Sequence, residues 1–221
     1  MSHTEQIPFG FPQPLSEKYR PQRIQDFVGL DKAKRILTKL AVNPYSSAWI
    51  FLGGSGLGKT SMGLALAAEM PAELHHIPAK ECTLEMVQEV CRQCYYSPRQ
   101  PDDWKPVRFH IVLVDEADQM SNAAQLALLS KLDATAFPPN TIFIFTCNAV
   151  ENLEKRFLSR CRMIEFSNYG LAGEISSLLA NIWDRETDNP VERPNFQRIT
   201  KDACGNIRDA LMTLEVEILS A

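Results

Sequence analysis

The sequence predicts an α/β fold: a parallel sheet with helices on both faces, followed by a small all-helical unit. Three observations carry this. Short apolar runs alternate with helical patterns between Ala48 and Phe166. A glycine-rich loop, Gly53 to Thr60, joins one such run to an Ala/Leu/Met-rich helix. After Ser167 only helical patterns remain. Strands that alternate with helices pair in parallel, because each helix carries the chain back across the sheet.

Residues 1–14 are polar, with prolines at 8, 12 and 14, and read as irregular. Asp31 is placed to cap a helix from Lys32 to about Ala41, whose Ile36, Leu37 and Leu40 share a face. Ala48–Leu52 is an apolar and aromatic strand, and Thr60–Met70 the helix after the loop. Glu73–Ala79 reads as a strand, and Thr83 opens a helix to about Tyr95. Ser97 through Pro106 is rich in turn residues. Val107–Val114 is apolar enough for a central strand. Helix Asn122–Leu132, a turn at Pro138-Pro139-Asn140 and strand Thr141–Cys147 follow. A helix over about Glu151–Phe157 and a short strand Arg162–Phe166 complete the alternation. Helices are expected at Ala172–Trp183, Asn195–Ala203 and Ile207–Leu219. The expected organisation is therefore an N-terminal segment 1–24, a core 25–166 and a helical lid 167–221.

Composition bounds the function. With 221 residues, 45% of them hydrophobic and 23% charged, the chain can bury a core and present a soluble surface. No run approaches the roughly 18 apolar residues of a membrane span, so no membrane role is expected. The net charge of −4 argues against indiscriminate coating of nucleic acid, although a local basic patch is compatible with it. Six cysteines without a secretory signal pattern read as reduced thiols of a cytoplasmic protein.

Gly53-Gly54-Ser55-Gly56-Leu57-Gly58-Lys59-Thr60 fits the phosphate-loop pattern G-x-x-x-x-G-K-S/T, between a strand and a helix as that chemistry requires. Glycines let successive backbone N–H groups face phosphate oxygens, and the helix N-terminus adds the positive end of a dipole. Lys59 supplies a charge for the β- and γ-phosphates, Thr60 a hydroxyl for Mg²⁺, and Ser61 lies beside them. The loop alone leaves kinases, GTPases and motors open.

Ile111-Val112-Leu113-Val114-Asp115-Glu116-Ala117-Asp118 narrows the choice. The apolar run delivers two acids to the carboxyl end of a strand, where ligands of open α/β sheets sit. Asp115 can hold Mg²⁺, and Glu116 can polarise a water toward the γ-phosphate.

Here the sequence resembles the AAA+ ATPases of the clamp-loader branch, over about residues 15 to 216. Asp115-Glu116-Ala117-Asp118 followed by Met120 and Gln125 carries the likeness, and Glu17-Lys18-Tyr19-Arg20-Pro21 is similar to the EKYRP signature of replication factor C small subunits. Bacterial gamma/tau subunits are similar too, and the residues do not choose between them. The resemblance implies that Tyr19, Arg20 and Val28 lie near adenine and that Asn148, ending Thr146-Cys147-Asn148, is sensor 1. It implies that Arg160 of Ser159-Arg160-Cys161 reaches the ATP of a neighbouring subunit, with Arg156 and Arg162 as competitors for that role. Arg208 of Gly205-Asn206-Ile207-Arg208 takes the sensor 2 position on the lid. The implied cofactors are ATP and Mg²⁺. The implied partners are other AAA+ subunits, a sliding clamp and primed DNA.

Two departures temper this. The chain stops at Ala221, so the helical collar domain of clamp-loader subunits is expected to be absent. Leu129-Ser130-Lys131 stands where the family commonly has paired arginines, which weakens the expectation of duplex tracking. Cys82, Cys91 and Cys94 echo three ligands of the gamma/tau zinc module, but the fourth position is Ser97. His75 and His76 lie in a strand pattern whose alternation points them opposite ways, so zinc is not expected and the cysteines read as buried or half-buried thiols. The expected function is ATP-driven work of clamp-loader type. The rival is a nucleotide-dependent assembly switch that hydrolyses slowly.

Overall fold

The computed structural model describes residues 13–70, 72–98, 108–187 and 193–220. The expected irregular start over 1–12, most of the turn-rich connection (99–106), the strand residue Val107 and the terminal Ala221 lie outside them.

Five strands build one sheet: β1 (Ser47–Leu52), β2 (Ala72–Pro78), β3 (Phe109–Asp115), β4 (Thr141–Cys147) and β5 (Arg162–Glu165). Their order is β2-β3-β4-β1-β5, and every pairing is parallel. The central strands are apolar on both faces because both faces are covered; every residue of β4 is buried. One face holds α2 (Asp31–Val42) and α3 (Lys59–Glu69), with Leu37, Met62 and Leu66 against Phe51, Leu113 and Ile144. The other holds α4 (Leu84–Gln93), α5 (Asn122–Lys131) and the short α6 (Lys155–Leu158), with Val87, Leu128 and Phe157 against Val112, Phe143 and Phe145. Each such side chain, fully buried, contributes roughly 1.5–3 kcal/mol.

A third cluster belongs to α7 (Ala172–Glu186), α8 (Phe196–Asp202) and α9 (Ile207–Ser220), around Leu179, Trp183 and Leu214. The N-terminal α1 (Leu15–Lys18) joins it through Leu15, and Tyr19 packs against it. The entering chain thus shares its core with the last three helices.

Three local expectations are corrected. Asp31 does not cap α2; the N-cap is Leu30, left-handed at φ 57°, and Asp31 is the first helical residue. Gly29 is left-handed as well, and its N–H donates to Glu174 of α7, so the turn is fixed from outside the helix. The helix expected from Glu151 begins only at Lys155. Buried Gln125 explains this: it donates to the Asn152 carbonyl and accepts the Glu154 N–H, holding the preceding residues as a turn. Finally, α4 ends at Gln93, so Cys94 is its C-cap and not an interior helical residue. Among the described residues no helix is long and apolar enough to cross a membrane.

Candidate functional site

The carboxyl ends of β1, β3 and β4 meet the N-terminus of α3, and a polar cleft opens there. Gly53 leaves β1 where a Cβ would lie 2.2 Å from the Phe166 carbonyl oxygen, a rigid backbone neighbour, so only glycine fits. Gly58 is the N-cap of α3 at φ 81°, which aims the following N–H groups into the cleft. Ser55, Gly56, Gly58, Lys59, Thr60 and Ser61 line the cleft from the loop side. Asp115, Glu116 and Asn148 line it from the ends of β3 and β4, and Arg208 from α9.

Lys59 spends all three of its donors: on the carbonyls of Gly53 (2.6 Å) and Gly54 (2.7 Å) and on Asn148 Oδ1 (3.0 Å). Burial lowers its pKa, while Asp118 and Asp115 act in the opposite sense. Asp118, itself buried, accepts the Asn148 N–H at 3.4 Å. The ammonium is thus held between the loop and β4.

Thr60 Oγ1 donates to Asp115 Oδ1 at 2.6 Å. Two hard oxygen donors of the kind Mg²⁺ prefers therefore converge at the mouth of the loop, although they come from different elements. The residues present fit Mg²⁺ and a triphosphate: carboxylate, hydroxyl, a cationic side chain and a loop with no room for side chains at Gly53. Glu116 is exposed and left-handed at φ 55°, an uncommon conformation for a residue with a Cβ.

Beside this cleft lies a more apolar cavity. It shares Gly56, Gly58, Ser61 and Arg208 with the cleft and is walled by Tyr19, Arg20, Phe27, Val28, Leu57 and Leu178. The positions expected near adenine therefore line a cavity continuous with the phosphate loop. Tyr19 hydrogen-bonds Glu186, and burial, reinforced by that bond, pushes its phenol up to about 12. Arg20 pairs with Glu17 at 3.0 Å.

Arg160 is the expected site residue that stands apart. It does not line the cleft; it reaches Asp133 at 3.2 Å and the Arg156 carbonyl at 3.3 Å. Its acidic partner comes from just beyond α5, 27 residues earlier.

Two residues to which the sequence assigns no role at the nucleotide site, Thr146 and His76, also reach its acids. Thr146 Oγ1 donates to Asp115 (2.5 Å) and accepts the Glu116 N–H (2.9 Å), so it touches both acids. The motif Thr146-Cys147-Asn148 pointed at the position, but only Asn148 was given a role. His76 on β2 lies 3.9 Å from Asp115, its Cα partner being the neighbouring Leu113. Nothing in its local pattern marks it.

The profile of the ATPase family associated with various cellular activities (AAA) matches residues 49–169. Replication factor C subunit 2 of Arabidopsis thaliana is 28% identical over 93% of this chain and 62% of its own length. The replication factor C small subunit of Picrophilus torridus is 33% identical over 68% of this chain and 48% of its own. DNA polymerase III subunit gamma of Buchnera aphidicola (from Schizaphis graminum) is 26% identical over 92% of this chain and 60% of its own. The chain therefore spans about half to three fifths of the curated relatives it matches. Among solved structures, the Thermotoga maritima RuvB Holliday junction branch migration motor superposes with a TM-score of 0.71, at 14% identity, over 91% of this chain and 72% of that one. At that identity it speaks for the fold alone. A phosphate loop, paired acids at the end of the neighbouring strand and an arginine of α9 lining the same cleft agree with the profile: the chain belongs to the AAA family of ATPases.

Proposed function

We propose that the chain binds Mg²⁺-ATP in the cleft, hydrolyses it, and works as one subunit of a clamp-loader-type assembly in DNA replication or repair. The observation that carries this is the join between Thr60, Asp115, Thr146 and Glu116. One hydrogen-bonded chain links the metal-type oxygen donors to the backbone of the candidate base.

In this reading the loop amides and Lys59 hold the β- and γ-phosphates, and Lys59 exchanges loop carbonyls for phosphate oxygens. Thr60 and Asp115 hold the metal. Mg²⁺, when bound, neutralises phosphate charge and polarises the γ-phosphoryl group. Glu116 orients a water and accepts its proton, Asn148 supports the γ-phosphate side, and Arg208 brings a positive charge from the lid. Tyr19, Arg20 and Val28 face the adenine. Arg160, on the outside of its own subunit, serves the site of a neighbour. The partners are other AAA+ subunits, with a sliding clamp and primed DNA as the load, and the compartment is cytoplasmic.

The test is steady-state ATP turnover with and without primed DNA, combined with native mass measurement in a non-hydrolysable analogue. Turnover stimulated by DNA in an oligomer supports the proposal; a monomer insensitive to DNA rejects it. The Arg160–Asp133 pair favours one second reading, an assembly switch whose finger stays latched. It requires nucleotide-dependent assembly with negligible turnover.

A further inference from the structure

Opposite the nucleotide cleft along the sheet edge, four chemistry-bearing side chains meet. Glu73 and His110 are Cα partners on β2 and β3, and His75 lies two residues along β2 from Glu73, on the same face. Cys94 at the end of α4 closes over them. Ligand atoms of His75, Cys94 and His110 all lie within 4.8 Å of one another. His75 Nε2 and His110 Nδ1 are 3.1 Å apart, and Glu73 Oε2 lies 3.5 Å from the same His110 nitrogen.

The second ring nitrogen of His110 decides what this cluster can do. His110 Nε2 lies 3.0 Å from the Tyr96 carbonyl oxygen, which can only accept. In the neutral ring the Nε2–H is therefore committed, and the Nδ1 lone pair faces His75 and Glu73. A ligating histidine is commonly fixed in this way, with its other N–H on a carbonyl. A tetrahedral site with metal–nitrogen bonds of roughly 2.0–2.1 Å places its nitrogens about 3.3 Å apart. The two imidazoles already have that spacing; the sulfur, up to 4.8 Å away, needs a shift of roughly 1.3 Å at most, and the Glu73 carboxylate, outside that trio, must swing in to complete the set.

We propose that His75, His110, Cys94 and Glu73 form a site for one zinc-class transition-metal ion, which clips the end of α4 to the edge of the sheet. The donor set is two imidazoles, one thiolate and one carboxylate, a combination suited to zinc and unsuited to Mg²⁺. It shares only Cys94 with the run Cys82, Cys91, Cys94 and Ser97, which lacks a fourth ligand. Cys94 and His110 are buried, as a closed structural site requires, while Glu73 and His75 are half-buried. A surface pocket whose walls include Cys94, Tyr96 and His110 provides an entry path. On binding, the Cys94 thiol proton leaves to solvent and the sulfur coordinates as thiolate.

Cobalt(II) titration of the full chain tests this, with Mg²⁺-ATP present to occupy the nucleotide cleft. The expected result is one equivalent bound, with tetrahedral d–d bands and a thiolate-to-cobalt charge-transfer band. Zinc should displace the cobalt, and chelator should lower the Tm of the zinc-loaded protein. Both bands should be lost in His75→Ala and Cys94→Ser and retained in Cys82→Ser and Cys91→Ser. If Cys94→Ser does not fold, His75→Ala still decides, because it alters a half-buried side chain on an edge strand. A metal held at Asp115 would give no thiolate band. Absence of that band in the wild type, its persistence in His75→Ala, or its loss in Cys91→Ser overturns the site.

Discussion

The hydroxyl of Thr146, on β4, accepts the backbone N–H of Glu116 at 2.9 Å, from the loop after β3. Glu116 is left-handed there, a conformation that costs on the order of 1–3 kcal/mol unless its surroundings hold it. The same hydroxyl donates to Asp115. Thr146→Val keeps the shape and removes both bonds, so the proposed base loses its orientation. The expected result is a kcat lower by about 10- to 100-fold with ATP affinity changed less than threefold, and substantial rescue in Thr146→Ser. Equal loss in the serine variant would mean that the methyl group, not the hydroxyl, matters.

Lys59 and Glu116 separate binding from chemistry. Lys59→Ala removes the one cation that the loop itself supplies, so ATP binding by calorimetry should disappear. Glu116→Gln should bind normally and hydrolyse about 10²–10⁴-fold more slowly, because an amide nitrogen cannot take the proton of water. If both variants lose binding alike, Glu116 is a metal ligand or a structural residue.

Arg160 is predicted to act between subunits. Its pair with Asp133 is partly exposed, with side chains 33% and 46% accessible, so solvent screens it and it holds Arg160 only weakly. A trans finger typically supplies roughly 10³–10⁵ in rate, so an arriving phosphate can outcompete Asp133. Arg160→Ala should bind ATP nearly normally and turn it over very slowly. Mixed with Glu116→Gln it should recover part of the activity, only at concentrations where subunits associate. An inactive mixture, with wild type visibly oligomeric, would rule out the trans role. Full activity of Arg160→Ala would move the assignment to Arg156.

The contact of Tyr19 and Lys18 with Glu186 sets a pH window. Hydrogen bonds from Lys18 and then Tyr19 hold the Glu186 carboxyl below its ordinary 4.5. Its contribution is therefore complete above pH 4.5 and lost as the pH falls through the lower folded value. Tyr19 moves the other way: its contribution is complete below its ordinary 10.0 and lost as the pH rises toward about 12. Glu186→Gln should cost about 1 kcal/mol near neutrality, or roughly 2–4 °C in Tm, and flatten the acid limb of a Tm–pH curve. An unchanged acid limb would show that other carboxylates dominate it.

The sheet and loop were legible because their signals are local. Ala48–Leu52 and Ile111–Asp115 are apolar runs, and the glycine spacing from Gly53 to Lys59 has few uses other than phosphate. What escaped was made by pairing between distant segments. The role of Thr146 depends on β4 lying beside β3, and His76 approaches Asp115 only through the β2–β3 register. The start of α6 is displaced by a side chain from α5, and the turn before α2 is held by α7; neither partner is within a local window. The Glu73–His75–His110 juxtaposition was illegible for the same reason, since alternation fixes a face of one strand but not its neighbour.

Leu15, Tyr19 and Val28 pack with the helices that carry Arg208, while Phe27 and Leu30 meet the sheet unit and line the cavity beside the loop. The first described residues therefore behave as a strap anchored at one end to the lid and at the other to the sheet. Any rotation of α7–α9 against the sheet must therefore pull Tyr19 along and reshape the cavity beside the loop. Under the proposed function, the fit of a base in that cavity and the position of Arg208 become one mechanical coordinate, so a nucleotide that fits poorly is expected to misplace Arg208 even if its phosphates are seated correctly.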